Sequence, residues 1–179
     1  MSPWFAATER FGPHLKDAWS KYVEWSGLNQ LDEVVSLDAM LNPPLLAEMK
    51  AEYWPYFPSG CRMFGLFTDL AFLLGQVPQS SKRNILCVFL NPIEPPKLPQ
   101  DLARFELLGY DLVEVEGSTS ALTNCGGFPG VFSNGELSSK GLLVSHVRAQ
   151  EVQAKLRASH PEEHHADCDL WAIARAVEL

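Results

Sequence analysis

Apolar residues change their spacing several times along the chain, and each change predicts an element. From Pro13 to Gly27, Leu15, Trp19, Tyr22 and Val23 recur at helical spacing, while Lys16, Asp17, Lys21 and Glu24 fall mostly elsewhere on the wheel. Pro13 suits the first turn of that helix and Gly27 the cap beyond its end. A second helix is predicted in "NPPLLAEMKAEYW", with Asn42 as its N-cap, Pro43 and Pro44 at its opening, and Leu45, Leu46, Met49 and Tyr53 as its apolar face. "YFPSGCRMFGLF" reads as a loop entering a strand, and "TDLAFLLGQV" as a short helix capped by Thr68. "NILCVFL", Asn84 to Leu90, is a short apolar run between polar and proline-rich flanks, the pattern of a central strand covered on both faces.

Four prolines in "NPIEPPKLPQ" require a loop or an extended connection. Beyond it, "LPQDLARFELLGYDLVEVEG" predicts a helix ended by Gly109, then a strand with Leu112 on one face and Val113 and Val115 on the other. "SALTN" reads as another short strand, "CGGFPG" as a flexible turn, and residues from about Ser145 to Ser159 as a helix. "DCDLWAIARAV" fits a strand or a helix equally well by periodicity. Together these elements predict a single α+β domain over residues 1–179, with 1–30 as an N-terminal helical extension. Its core would be a mixed sheet of four to six strands with helices packed on it.

Composition agrees with a folded domain. Hydrophobic residues make up 46% of the 179, and five Trp and ten Phe supply large buried areas. Charge narrows the partners: 22 acidic against 14 basic residues leave a formal charge of -8, and the densest basic cluster is the pair Lys82 and Arg83. A nucleic-acid binder needs a clustered basic surface to displace counterions, so no nucleic-acid partner is expected. An acidic surface favours a cationic partner drawn in by charge. The N-terminus lacks a basic segment followed by an apolar one, and the most apolar stretch is broken by Arg62 and Asp69, so neither export nor membrane insertion is expected. Cys61, Cys87, Cys125 and Cys168 are widely spaced with no CxxC pair, which fits reduced thiols in a cytoplasmic chain.

The most chemical-looking stretch is "SHPEEHHADCDLW", Ser159 to Trp171. A helical turn from Pro161 would put His164 and Cys168 on one face, which is half a zinc site; His160, His146 or Cys125 would have to complete it. Alternatively Cys125, in "TNCGGF", could be a thiol nucleophile with His164 or His165 as base and Asp167 orienting it, giving a small thiol- or metal-dependent hydrolase. Against both, short His tracts are often plain polar surface, and Asn124, Gly126 and Gly127 can form a tight turn around a Cys125 that merely packs. Asp32, Glu33, Asp111, Glu114, Glu116, Glu162 and Glu163 show no diagnostic pairing, and no Walker loop, GxGxxG, GxSxG or HExxH occurs. The expectation is a protein without catalytic residues, cofactor or metal, in which "SHPEEHHADCDLW" is a junction with Cys168 turned inward.

Three segments in order, "LDEVVSLDAML", "FELLGYDLVEVEGSTSALTNCGG" and "EEHHADCDLWAIAR", resemble small uncharacterised bacterial proteins of the immunity type, encoded as partners of polymorphic or contact-delivered toxins. The resemblance spans Leu31 to Arg175 and carries no active-site motif. It implies a protein that binds a toxin domain and blocks it, or, failing that, another structural or adaptor module. The acids Asp111, Glu114, Glu116, Glu162, Glu163, Asp167 and Asp169 are then the candidate partner-binding residues, with Trp4, Trp25 and Trp54 as candidate aromatic anchors. The oligomeric state is left open.

Overall fold

The computed structural model describes residues 2–46, 48, 50–59, 65–79, 82–100, 103–114 and 119–178, without the side chains of His165 and Glu178. Five strands, β1 (Trp4–Glu9), β2 (Leu66–Phe67), β3 (Arg83–Leu90), β4 (Arg104–Glu114) and β5 (Cys168–Glu178), form one sheet in the order β2-β1-β3-β5-β4. The α+β class and the strand number match expectation, but the sheet is antiparallel at every pairing rather than mixed. The reason lies in the last strand. β3 and β4 run the same way, joined by the proline-rich crossover, and β5 inserts between them antiparallel to both.

"NILCVFL" is the centre of the sheet as its unbroken apolar run requires, with Cys87 fully buried. The N-terminal segment is more than a helical extension, since "WFAATE" is β1 and pairs with β3 along its whole length. Helix α1 (Asp17–Ser26) follows it, ended as predicted by Gly27 in the left-handed conformation at φ 68°. Helix α2 (Leu70–Gln76) is capped by Asp69, whose carboxylate accepts from the Phe72 N–H, and not by Thr68, whose hydroxyl donates to the Tyr56 carbonyl. Helix α3 (His146–Ser159) begins at the Ser145 cap. The ambiguous C-terminal element is the strand β5.

Three readings fail for physical reasons. "RFELLGYDLVE" is one long strand, not a helix and a strand, because a register shift between Leu107 and Gly109 interrupts its alternation. Gly109 marks this bulge: at φ 147°, a Cβ there would stand 2.6 Å from the Leu143 carbonyl oxygen, so only glycine lets the two backbones approach. "SALTN" contributes a single bridge, Ser120 to Val113, before turning away. No helix starts at Asn42, because its amide is committed to distant backbone: Nδ2 donates to the Glu9 and Val34 carbonyls and Oδ1 accepts from Ser36 N–H.

Alternation along the strands separates two cores. On the first face Phe5, Ala7, Ile85, Cys87, Phe89, Leu112, Leu170 and Ala172 meet Trp19 and Tyr22 of α1, Leu70 and Leu73 of α2, and Ala149, Val152 and Leu156 of α3. On the second face Ala6, Leu86, Val88, Val113, Trp171 and Ile173 are covered, among the described residues, by irregular chain through Val35, Leu37 and Leu142. That cover holds the polar groups that matter below. It cannot be tied down by helix packing alone, and buried polar bonds take over the task.

Candidate functional site

The segment 32–42 crosses the second face and is pinned at two points by buried carboxylates. Asp38 and Asp111 are both fully buried, as are Ser36 and Ser120. Asp38 Oδ1 accepts from the Met40 and Leu41 N–H groups at 2.8 and 3.0 Å, and its Oδ2 from Ser120 N–H and Asn124 Nδ2, both at 2.9 Å. One carboxylate thereby ties the loop at 36–42 to the loop at 119–125. Asp111, projecting from β4, takes the hydroxyls of Ser36 (2.5 Å) and Ser120 (2.6 Å) and the Leu112 N–H (2.8 Å). Burial pushes its carboxyl up to about 6; the Ser120 and Ser36 hydrogen bonds oppose that rise, and the neighbouring Asp38 adds to it.

The second pin is Glu33, with a side chain 5% exposed. Arg10 donates twice to Oε2, at 3.1 and 2.6 Å, while Arg175 at 2.7 Å and Lys140 at 2.8 Å share Oε1. Burial alone would raise this carboxyl, but the bonds from Lys140, Arg175 and Arg10 outweigh it and hold it down at about 2. Lys140 also reaches Asp32 at 2.8 Å. This cluster joins the residue after β1, β5 and the 138–142 turn to the same crossing segment.

Around the Asp38 and Asp111 hub the surface carries unusual side chains. Met40 is 76% exposed and touches Asn124, with 3.8 Å between Sδ and Nδ2. Trp25, 56% exposed, packs on Tyr22, whose hydroxyl donates to the Thr123 carbonyl at 2.9 Å. Further along, the Phe128 ring stands 5.3 Å from His160, which lies beside Glu163. The loop 123–128 thus meets Met40 through Asn124 and Tyr22 through Thr123, and its Phe128 meets His160, while Glu162, Glu163 and Asp167 are exposed.

The candidate acids therefore divide. Glu162, Glu163 and Asp167 are at the surface; Asp169 and Glu114 are half-buried, Asp169 accepting from Asn91 Nδ2 at 2.8 Å. Asp111 cannot meet a partner, because its strand turns it into the second core. Glu116 lies outside the described residues. Of the tryptophans, Trp4 is half-buried against Trp171, with ring centres 5.7 Å apart, whereas Trp25 and Trp54 are open. Residue patterning missed the exposed Met40 and the Asp38 hub altogether; the available signal was a carboxylate, Asp111, inside an otherwise apolar strand.

The thiol and metal readings find little here. Cys168 is buried at the start of β5, and burial pushes its thiol up to about 12, while His164 is exposed in the preceding turn. Cys125 donates to the Ser120 carbonyl, and burial, with Glu114 next, pushes its thiol up, against what a thiolate nucleophile requires. Among the described residues no group of three or more His, Cys, Asp or Glu side chains is placed to hold a metal ion. None of their helices is long and apolar enough to cross a membrane. Comparison with known proteins gave no matching family model, no matching curated protein and no matching solved structure.

Proposed function

We propose that this chain is a non-enzymatic inhibitory binding protein, acting as an immunity protein that occupies a cognate bacterial toxin domain. The observation that carries the proposal is that exposed Met40 and Trp25 stand at the loop 119–125, which Asp38 holds by buried hydrogen bonds, Met40 through Asn124 and Trp25 through Tyr22 and Thr123. Interfaces draw most of their energy from a few aromatic or apolar anchors on a rigid base. Exposed carboxylates such as Glu162, Glu163 and Asp167 steer a cationic partner and raise its association rate. A loop surface held by Asp38 loses little conformational entropy when it is covered.

The test begins with the gene neighbourhood. A toxin domain encoded beside this chain should co-purify with it, and cells expressing that toxin should die when this gene is deleted. Equal survival with and without the gene would end the immunity reading. Where a complex forms, Trp25→Ala should weaken it by about 2 kcal/mol, roughly thirtyfold in Kd. Glu162→Lys with Glu163→Lys should act mainly on the association rate and lose its effect at high salt.

A further inference from the structure

β4 is an edge strand, and its outer side is covered over only part of its length. Tyr110 exchanges both backbone bonds with Leu143, at 2.8 and 3.0 Å, and Leu112 and Glu114 bond to Ala121 and Thr119. Among the described residues, nothing pairs with the outer side of 104–108. Which groups face outward follows from β5. Leu170 bonds to Asn91 on the β3 side, so Trp171, Ile173 and Arg175 turn their backbone groups towards β4. Glu106, opposite Arg175, then faces inward, and Phe105 and Leu107 present free N–H and C=O groups outward. An open cleft of about 800 Å³, lined by Lys97, Leu98, Gln100, Arg104 and Phe105, borders this edge beside the proline-rich crossover.

An exposed edge is a template for another strand, and charged side chains normally guard it. Arg104 and Glu106 are those charges, both exposed and both on one side of the strand. Against most strands they oppose pairing. Against a second copy of the same strand, run antiparallel about Phe105, they do the reverse. Arg104 then stands opposite the partner's Glu106, Glu106 opposite the partner's Arg104, and the two outward-facing Phe105 backbones exchange hydrogen bonds across the two-fold axis. Half-buried Leu107 would be covered in the same step. We infer that the open 104–108 edge of β4 is a homodimer interface, at which two copies join antiparallel through Arg104 and Glu106 into one continuous sheet.

Sedimentation velocity over a concentration series tests this directly. The wild-type chain should pass from monomer to dimer in the micromolar range; a monomer at every concentration up to about 1 mM, a Kd limit equivalent to roughly -4 kcal/mol, overturns the inference. R104E and E106R should each raise the dimer Kd at least roughly tenfold, because like charges then face each other twice across the axis. Mixed in equal amounts, the two variants should form a heterodimer, since every opposed pair is again complementary. A dimer that ignores both substitutions, or variants that fold but do not pair when mixed, overturns it. Should either variant fail to fold, hydrogen exchange on the wild type decides: the Phe105 and Leu107 amides must become protected as the concentration rises, and unchanged exchange in a dimer places the interface elsewhere.

Discussion

Glu33 and Asp111 are buried carboxylates on the same face of the same sheet, fastening the same crossing segment, and their surroundings are opposite. Glu33 is met by three cations, Arg10, Lys140 and Arg175, and lies well below its ordinary range. Asp111 is met by two serine hydroxyls and a backbone N–H, with the Asp38 carboxylate nearby, and lies well above. The difference shows that burial does not settle what a carboxylate does; its partners do. An ion cluster that reaches solvent fastens the end of the sheet where the arginines are only half-buried. Neutral donors fasten the interior point beneath the candidate binding face, where a cation would have to be desolvated at a cost of several kcal/mol.

The largest expected effect is at Asp38, which ties the two loops through four donors. Asp38→Ala leaves the Met40, Leu41 and Ser120 N–H groups and the Asn124 amide without their acceptor, two of them buried. Chemical denaturation should show a loss of about 3–5 kcal/mol. Glu33→Gln comes next, because it leaves three cations gathered around a neutral group; a loss of about 2–3 kcal/mol is expected, less than for a fully dry pair since the cations are 21–39% exposed. Asp111→Asn is the mildest at neutral pH, at about 1 kcal/mol, since the amide oxygen can keep the Ser120 and Leu112 donors.

The same pair separates by pH. Glu33, with its carboxyl lowered to about 2, contributes stability that is present above about 4.5 and lost as pH falls towards 2. Asp111 is raised to about 6, so its folded state takes up a proton. Its contribution is full below about 3.8 and declines, by at most about 3 kcal/mol, as pH rises to 6. Denaturation midpoints between pH 2 and 8 should therefore show a rising limb that Glu33→Gln flattens and a falling limb that Asp111→Asn flattens. If Asp111→Asn leaves the slope between pH 4 and 6 unchanged, Asp111 is not the group that binds the proton.

Elements built from local signals were legible in the chain. α1 announces itself by Trp19, Tyr22 and the Gly27 cap, α3 by its Ser145 cap, and β3 by its unbroken apolar run. Elements whose signals are tertiary were not. The bulge at Gly109 exists because Leu143 presses on β4 from a segment more than thirty residues away, and without that contact "RFELL" looks helical. Asn42 looks like a helix cap because its bonds to Glu9 and Val34 cannot be read from its neighbours. The hub is the extreme case: Ser36, Asp38, Asp111, Ser120 and Asn124 are common surface residues one by one, and only the fold brings them together. The acids named from sequence as candidate partner-binding residues accordingly split, Asp111 going inside and Glu162, Glu163 and Asp167 remaining outside.

The central claim is that Asp38 makes the loops at 36–42 and 119–125 a single rigid platform. Native-state hydrogen exchange at the Leu41 and Ser120 amides, compared between the wild type and Asp38→Asn, measures this most directly. In the wild type both amides should exchange together and slowly, near the rate of global unfolding. In the variant both should accelerate strongly while Leu86 and Val88 in β3 change only as much as global stability does. Leu41 and Ser120 amides that exchange independently in the wild type, or that slow and quicken only with β3, would contradict the claim.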